Sequence, residues 1–69
     1  MLFTDVSSER AVRAFKKKGF KIVRRGKHII MSDGEHFISI PQHKRINPYT
    51  LIAIIEGAGL TDKEFKTLL

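Results

Sequence analysis

The 69-residue sequence contains no cysteine. The chain therefore has neither a disulfide framework nor a thiolate metal site, and packing alone must hold its small core together. Long hydrophobic runs are also absent, because the longest, Leu51 to Ile55, is far shorter than the roughly 20 residues that span a bilayer. Residues 1–5 lack the basic start of a signal peptide. We expect a soluble cytoplasmic protein with no membrane association.

Acidic residues are few compared with basic ones. The chain has 13 Lys+Arg against 7 Asp+Glu, which gives a formal net charge of +6 and an isoelectric point of about 10.1. A surface potential of this sign favours a polyanionic partner. Nucleic acid is the first candidate and an acidic protein is the second, and composition does not separate them.

Repeats, low-complexity tracts and linkers are absent as well, so we expect residues 1–69 to form a single domain. A first helix is predicted over residues 8 to 18. Serines and an acid precede its apolar positions, three lysines crowd its last turn, and Gly19 fits the position that closes a helix. The lysines are better explained as a solvated helix end that complements the helix dipole than as a phosphate-binding patch.

Three short strands follow, and together they predict an antiparallel sheet. They are expected at residues 20–25, 26–31 and 36–40. An Asp33-Gly34 turn between the second and third strands is a strong hairpin signal, and Pro41 is expected to end the ladder.

Two helices complete the chain. Asn47-Pro48 is typical of a helix start, and the broad apolar stripe that follows makes the second helix the expected main lid on the sheet, ending near Gly59-Leu60. Thr61 to Glu64 reads as a capping box, which predicts a short third helix over residues 62 to 68. The fold class is therefore α+β: a helix, a three-stranded antiparallel sheet, a helix and a short C-terminal helix.

The second strand carries His28, whose imidazole can accept and return a proton near neutral pH. Residues 29–31 are apolar at both alternating positions, so the pattern leaves open whether His28 points into the core or away from it. The same pattern favours a partner that covers the face without helices. From pattern alone, a histidine that only hydrogen-bonds within the sheet or to a partner is the simpler interpretation.

Short motifs are distributed along nearly the whole chain. They are Lys18-Gly19-Phe20, Val23-Arg24, Gly26-Lys27-His28, Ile40-Pro41-Gln42-His43, Thr50-Leu51 and Ala58-Gly59-Leu60. In this order and spacing they resemble the HicA (YcfA-like) family of bacterial toxins. The resemblance implies a double-stranded-RNA-binding-domain-like fold and an mRNA-cleaving toxin, neutralised by a HicB-like antitoxin protein and monomeric or weakly dimeric when free. The family's commonest motif is Gly-Ser-His, and Lys27 departs from it.

The resemblance also implies that His28 is the catalytic residue of a metal-independent endoribonuclease. RNA carries its own nucleophile, the 2′-hydroxyl. Cleavage needs a base for that proton, an acid for the departing 5′-oxygen and positive charge on the phosphate. His28 can perform either proton transfer, and Lys27 with Arg24 or Arg25 can supply the charge. No cofactor is expected.

A basic loop of His43, Lys44 and Arg45 precedes the second helix. Phosphate contact by these residues and an ordinary basic loop are equally good interpretations. Phe37 and Tyr49 could stack on bases if exposed, although packing is favoured for Tyr49 in the first turn of a helix.

A metal site is poorly supported. His28, His36 and His43 are too far apart in the sequence for local ligand spacing, and no acidic cluster lies beside them. We expect His36 to be a solvated strand residue.

Three functions therefore remain open. The first is an RNA-cleaving toxin. The second is a module of the same fold that binds structured RNA or a protein without cleaving, for which Lys27 is the main sign. The third is a partner-dependent structural protein with no nucleic-acid role.

Overall fold

A computed structural model describes residues 2–69. The elements, in chain order, are helix α1 (Ser8–Lys18), strands β1 (Lys21–Arg25), β2 (His28–Ser32) and β3 (Phe37–Pro41), and helices α2 (Pro48–Gly57) and α3 (Asp62–Leu68). This is the α+β order predicted from the sequence. Within the described part of the chain, no helix has the length and apolar character that crossing a membrane requires.

Helix α1 begins and ends at the residues that its capping signals predict. The Ser7 side chain accepts a hydrogen bond from the Arg10 amide at 3.1 Å. Gly19 has a φ of 112°, in the left-handed region that suits glycine. The Phe20 amide then donates to the Phe15 carbonyl at 3.0 Å, which turns Phe20 back into the core.

The three strands form one antiparallel sheet with β2 in the centre. One face of the sheet is buried, and it carries Ile29 and Met31 of β2 with Ile38 and Ile40 of β3. Both α1 and α2 pack against β3 on this side. Helix α2 was expected to be the main lid, but α1 shares that role.

The strand bounds differ slightly from the predicted ones. β2 begins at His28, after the turn, and β3 includes Pro41, which pairs with His28. Proline is tolerated there because β3 is an edge strand and the ladder ends at that residue.

A cluster of phenylalanines joins α3 to α1 in the core. The ring centroids of Phe15 and Phe65 are 5.0 Å apart, those of Phe3 and Phe65 are 5.3 Å apart, and those of Phe15 and Phe20 are 5.5 Å apart. Aromatic pairs at such distances contribute about 0.5–1.5 kcal/mol each beyond the area they bury. The short third helix is therefore held by packing as well as by its cap.

The caps of α2 and α3 are also those that the sequence predicts. The Asn47 side chain accepts hydrogen bonds from the Tyr49 and Thr50 amides. In α3, the Thr61 hydroxyl accepts from the Glu64 amide while the Glu64 carboxylate accepts from the Thr61 amide and hydroxyl. These two donors lower the pKa of Glu64 below its usual value.

His36 lies in the turn before β3, and its ring is half-buried. Its Nδ1 is 3.1 Å from the Asp33 carboxylate, and its ring centroid is 6.5 Å from that of Phe20. Gly59 approaches so closely that a Cβ there would lie 2.9 Å from the Nε2 of His36. The expectation of a strand histidine is therefore wrong, because His36 lies in the turn and its ring packs against Phe20 and Gly59. The expected exposure to solvent holds in part, since 38% of the side chain is exposed.

Asp33 organises the β2–β3 turn. Its carboxylate accepts hydrogen bonds from the His36 amide at 2.7 Å and the Glu35 amide at 2.9 Å. These amides, the His36 amide first, lower the pKa of Asp33 from 3.8 to about 2. The ionised carboxylate is thus the form that the folded turn favours.

Because the pKa of Asp33 is lower in the folded state, its stabilising contribution is complete above pH 3.8 and is lost as the pH falls through about 2. We expect Asp33→Ala to lower the free energy of unfolding at neutral pH and to reduce its decline across that acidic range. Urea unfolding at a series of pH values measures both effects. Glu35→Ala is the control, since it removes a carboxylate from the same turn. A pH dependence unchanged by Asp33→Ala would contradict this account.

Candidate nucleic-acid interface

The face of the sheet opposite the helices is open. On β2, Ile29 and Met31 are buried on the helix side, so the alternation of a strand directs His28 and Ile30 to the other face. His28 is exposed and Ile30 is partly buried. The direction of His28, which the sequence pattern left open, is away from the core.

His28 shares a shallow depression with two basic residues. The depression has a volume of about 400 Å³, and its lining residues are Arg24, Gly26, Lys27, His28 and Ile30. An imidazole, a group that can accept and return protons, and two cations thus surround one exposed concavity. This combination suits a phosphate group beside a reacting hydroxyl.

A β-bulge in β1 decides which arginine reaches the depression. Lys21 and Ile22 pair with Ser32 and Met31, but the register then shifts by one residue, so that Arg24 lies opposite Ile30. Side chains of directly opposed residues share a face. The bulge therefore places Arg24 on the open face, whereas unbroken alternation from Ile22 would put it on the helix side.

Arg25 lies on the other side of the sheet. It pairs with Ile29, whose side chain is buried towards the helices, and it does not line the depression. Of the basic residues predicted beside His28, the structure brings together Arg24 and Lys27 but not Arg25.

The turn that carries Lys27 is also held by the residue that follows β3, at the same end of the sheet. The Gly26 amide donates to the His28 carbonyl at 3.1 Å. The Gln42 side-chain amide donates to the Gly26 carbonyl at 2.5 Å, across 16 positions of sequence. Gln42 directly follows Pro41, which pairs with His28. In the sequence, Gln42 is notable only as part of the Ile40-Pro41-Gln42-His43 motif, and no local signal indicates that it holds this turn.

The basic loop before α2 lies outside the depression around His28. Its backbone is anchored to α1, because the amide and hydroxyl of Ser8 both donate to the His43 carbonyl at 3.0 and 3.2 Å. His43 and Lys44 line a separate depression beside the start of α1. The Nε of Arg45 lies 3.5 Å from the Asp5 carboxylate. None of these three residues lines the depression around His28.

Two aromatic side chains are strongly exposed: Phe37 at 69% and Tyr49 at 72%. Phe37 pairs with Ser32, which places it on the open face with His28. Tyr49 was expected to pack, but it lies about 200° around α2 from the buried Leu51 and so faces solvent.

The histidines do not converge. His28 is in β2, His36 is in the β2–β3 turn, and His43 is in the loop before α2. Across residues 2–69, no three His, Cys, Asp or Glu side chains gather in a group that could hold a metal ion.

The chain matches a known protein family. The family model described as the HicA toxin of bacterial toxin-antitoxin matches residues 8–60, which include α1, the whole sheet and α2. No curated protein matches the chain.

The hydrogen bond from Gln42 to Gly26 generates a structural prediction. Gln42→Glu keeps the shape of the side chain but replaces the donor with a carboxylate that repels the carbonyl. We expect the Gly26 amide to exchange with solvent about 2- to 10-fold faster, as expected when one hydrogen bond is lost. Amide hydrogen exchange followed by NMR measures this change.

Lys44→Gln is the matched control, because it lowers the net charge by the same amount from the same loop without touching Gly26. Gly26 exchange at the wild-type rate in Gln42→Glu would show that Gln42 does not order the turn.

Proposed function

Because the chain belongs to the HicA family of toxins of bacterial toxin-antitoxin systems, we propose that it is a metal-independent mRNA endoribonuclease with His28 as its catalytic acid or base. Toxins of this family are generally ribonucleases. The observation that carries the proposal is the position of His28, which is exposed on the open face in one depression with Arg24 and Lys27.

The proposed reaction uses the nucleophile that RNA itself provides. The 2′-oxygen of a ribose attacks the adjacent phosphorus, the bond from phosphorus to the 5′-oxygen breaks, and the products are a 2′,3′-cyclic phosphate and a 5′-hydroxyl. His28 removes the 2′-hydroxyl proton if it acts as the base, or protonates the departing 5′-oxygen if it acts as the acid. Water completes the other transfer.

The positive charge of the depression supports the same reaction. The phosphate gains negative charge as the 2′-oxygen attacks, and cations placed beforehand stabilise that charge. Arg24 and Lys27 are the cations that line the depression with His28. The three strands contain no acidic residue to oppose them.

The partner expected for this family is a HicB-type antitoxin. We propose that it inhibits by covering the open face, since a protein seated there excludes RNA from His28.

We expect the purified protein to cleave RNA in EDTA and to leave 2′,3′-cyclic phosphate ends. His28→Ala should reduce the rate by about 10²- to 10⁴-fold, the usual contribution of a positioned general acid or base. His43→Ala is the matched control, because it removes a histidine outside the depression and should leave the rate near that of the wild type. End-group analysis and gel quantification measure both results.

Equal cleavage by His28→Ala would contradict the catalytic role. Loss of cleavage in EDTA that added Mg²⁺ restores would contradict metal independence. If the wild-type protein retards RNA in a salt-dependent manner but leaves it whole, the chain is a binding module of the same fold. A rate that rises with pH as imidazoles lose their proton identifies His28 as the base, and a rate that falls identifies it as the acid.

A further inference from the structure

The open face extends well beyond the depression around His28. Strand pairing arranges its side chains in three rows across the sheet. From one end to the other the rows are His28 with Pro41, Arg24 with Ile30 and Ser39, and Lys21 with Ser32 and Phe37. The face is therefore one continuous surface with His28 at one end and Phe37 at the opposite end.

Charge and aromatic character lie on opposite margins of this face. Lys21 and Arg24 are exposed on β1, and Lys27 continues the basic margin through the turn to β2. Phe37, on β3, leaves 69% of its surface in solvent. Phosphates and nucleobases are likewise displayed on opposite sides of an extended polynucleotide strand, so the two margins match its two kinds of surface.

We propose that the open face binds an unpaired RNA strand, with a nucleobase stacked on the Phe37 ring and the phosphates along Lys21, Arg24 and Lys27. This proposal rests on the proposed function. It adds that the RNA is single-stranded and that Phe37 binds one of its bases. An exposed aromatic ring can stack only on a base whose face is free, and the bases of a duplex are stacked on one another. The face therefore selects unpaired RNA.

The same geometry assigns Phe37 to binding and not to chemistry. Its row lies four residues along β2 from His28, which corresponds to about 13 Å at the rise of a strand. The base on Phe37 thus belongs to a neighbour of the cleaved nucleotide. Stacking there would fix the path of the strand past His28.

A protein partner is the other occupant that an exposed phenylalanine could serve. Charge favours RNA, because the face joins three cations to Phe37 and its strands have no carboxylate. The two occupants also differ chemically. A protein contact needs apolar area, which leucine retains, whereas base stacking needs the aromatic ring, which leucine lacks.

The test measures binding of a fluorescent 2′-O-methyl oligoribonucleotide, which cannot be cleaved because its 2′-oxygen is blocked. We expect the wild-type protein to bind the single strand more tightly than the same strand annealed to its complement. Phe37→Ala and Phe37→Leu should weaken single-strand binding by about 5- to 150-fold, as measured for the loss of one stacked base. Phe37→Tyr keeps an aromatic ring and should bind the single strand about as tightly as the wild type. Thermal unfolding checks that each variant is folded.

Tyr49→Ala is the matched control, since it removes an equally exposed aromatic side chain outside the sheet and should leave binding unchanged. Single-strand binding that survives Phe37→Ala or Phe37→Leu overturns the proposal, as does tighter binding of the duplex. If substitutions at Phe37 leave RNA binding unchanged but abolish binding of a HicB-like antitoxin, then Phe37 contacts a protein partner and the proposal is wrong. Because the probe cannot be cleaved, this experiment measures binding alone. Its outcome is therefore independent of the outcome of the cleavage test on His28.

Discussion

The candidate site depends on the burial of Ile29 and Met31 beneath the helices. Side chains of a strand alternate between faces, so burying these two residues leaves His28 and Ile30 no direction but the open face. A slip of one residue would exchange the faces, burying the imidazole and exposing both apolar side chains. The hydrophobic core therefore fixes the direction of the group proposed to carry out the chemistry, and what stabilises the fold also presents the site.

Two features refine this arrangement, and neither could be predicted from the sequence. The bulge in β1 brings Arg24 to the open face and leaves Arg25 on the other, although the run from Val23 to Arg25 has no glycine to mark a bulge. Gln42 holds the turn at Gly26 from 16 positions away. Both features follow from how the strands pair in three dimensions, and the local periodicity of the sequence does not predict that pairing.

Features controlled by neighbouring residues were predictable. Ser7 and Gly19 bound the first helix, and the pair of Thr61 and Glu64 caps the third, because capping hydrogen bonds join residues only a few positions apart. The direction of His28 could not be predicted, since residues 29–31 are all apolar and the sequence therefore does not show which face of the strand is buried. The contacts of His36 were not predictable either, because they are made with Phe20 and Gly59, which are distant in the sequence.

The central claim is that RNA meets the open face of the sheet, and Arg24 and Arg25 test it most directly. They are adjacent, carry the same charge and lie on opposite faces. The affinity for a single-stranded, uncleavable RNA should be measured across a range of salt concentrations. We expect Arg24→Gln to reduce the slope of log affinity against log salt by about 0.7, the value for one lost phosphate contact with a single strand. Arg25→Gln should leave the slope unchanged. An equal or larger reduction with Arg25→Gln would contradict the account.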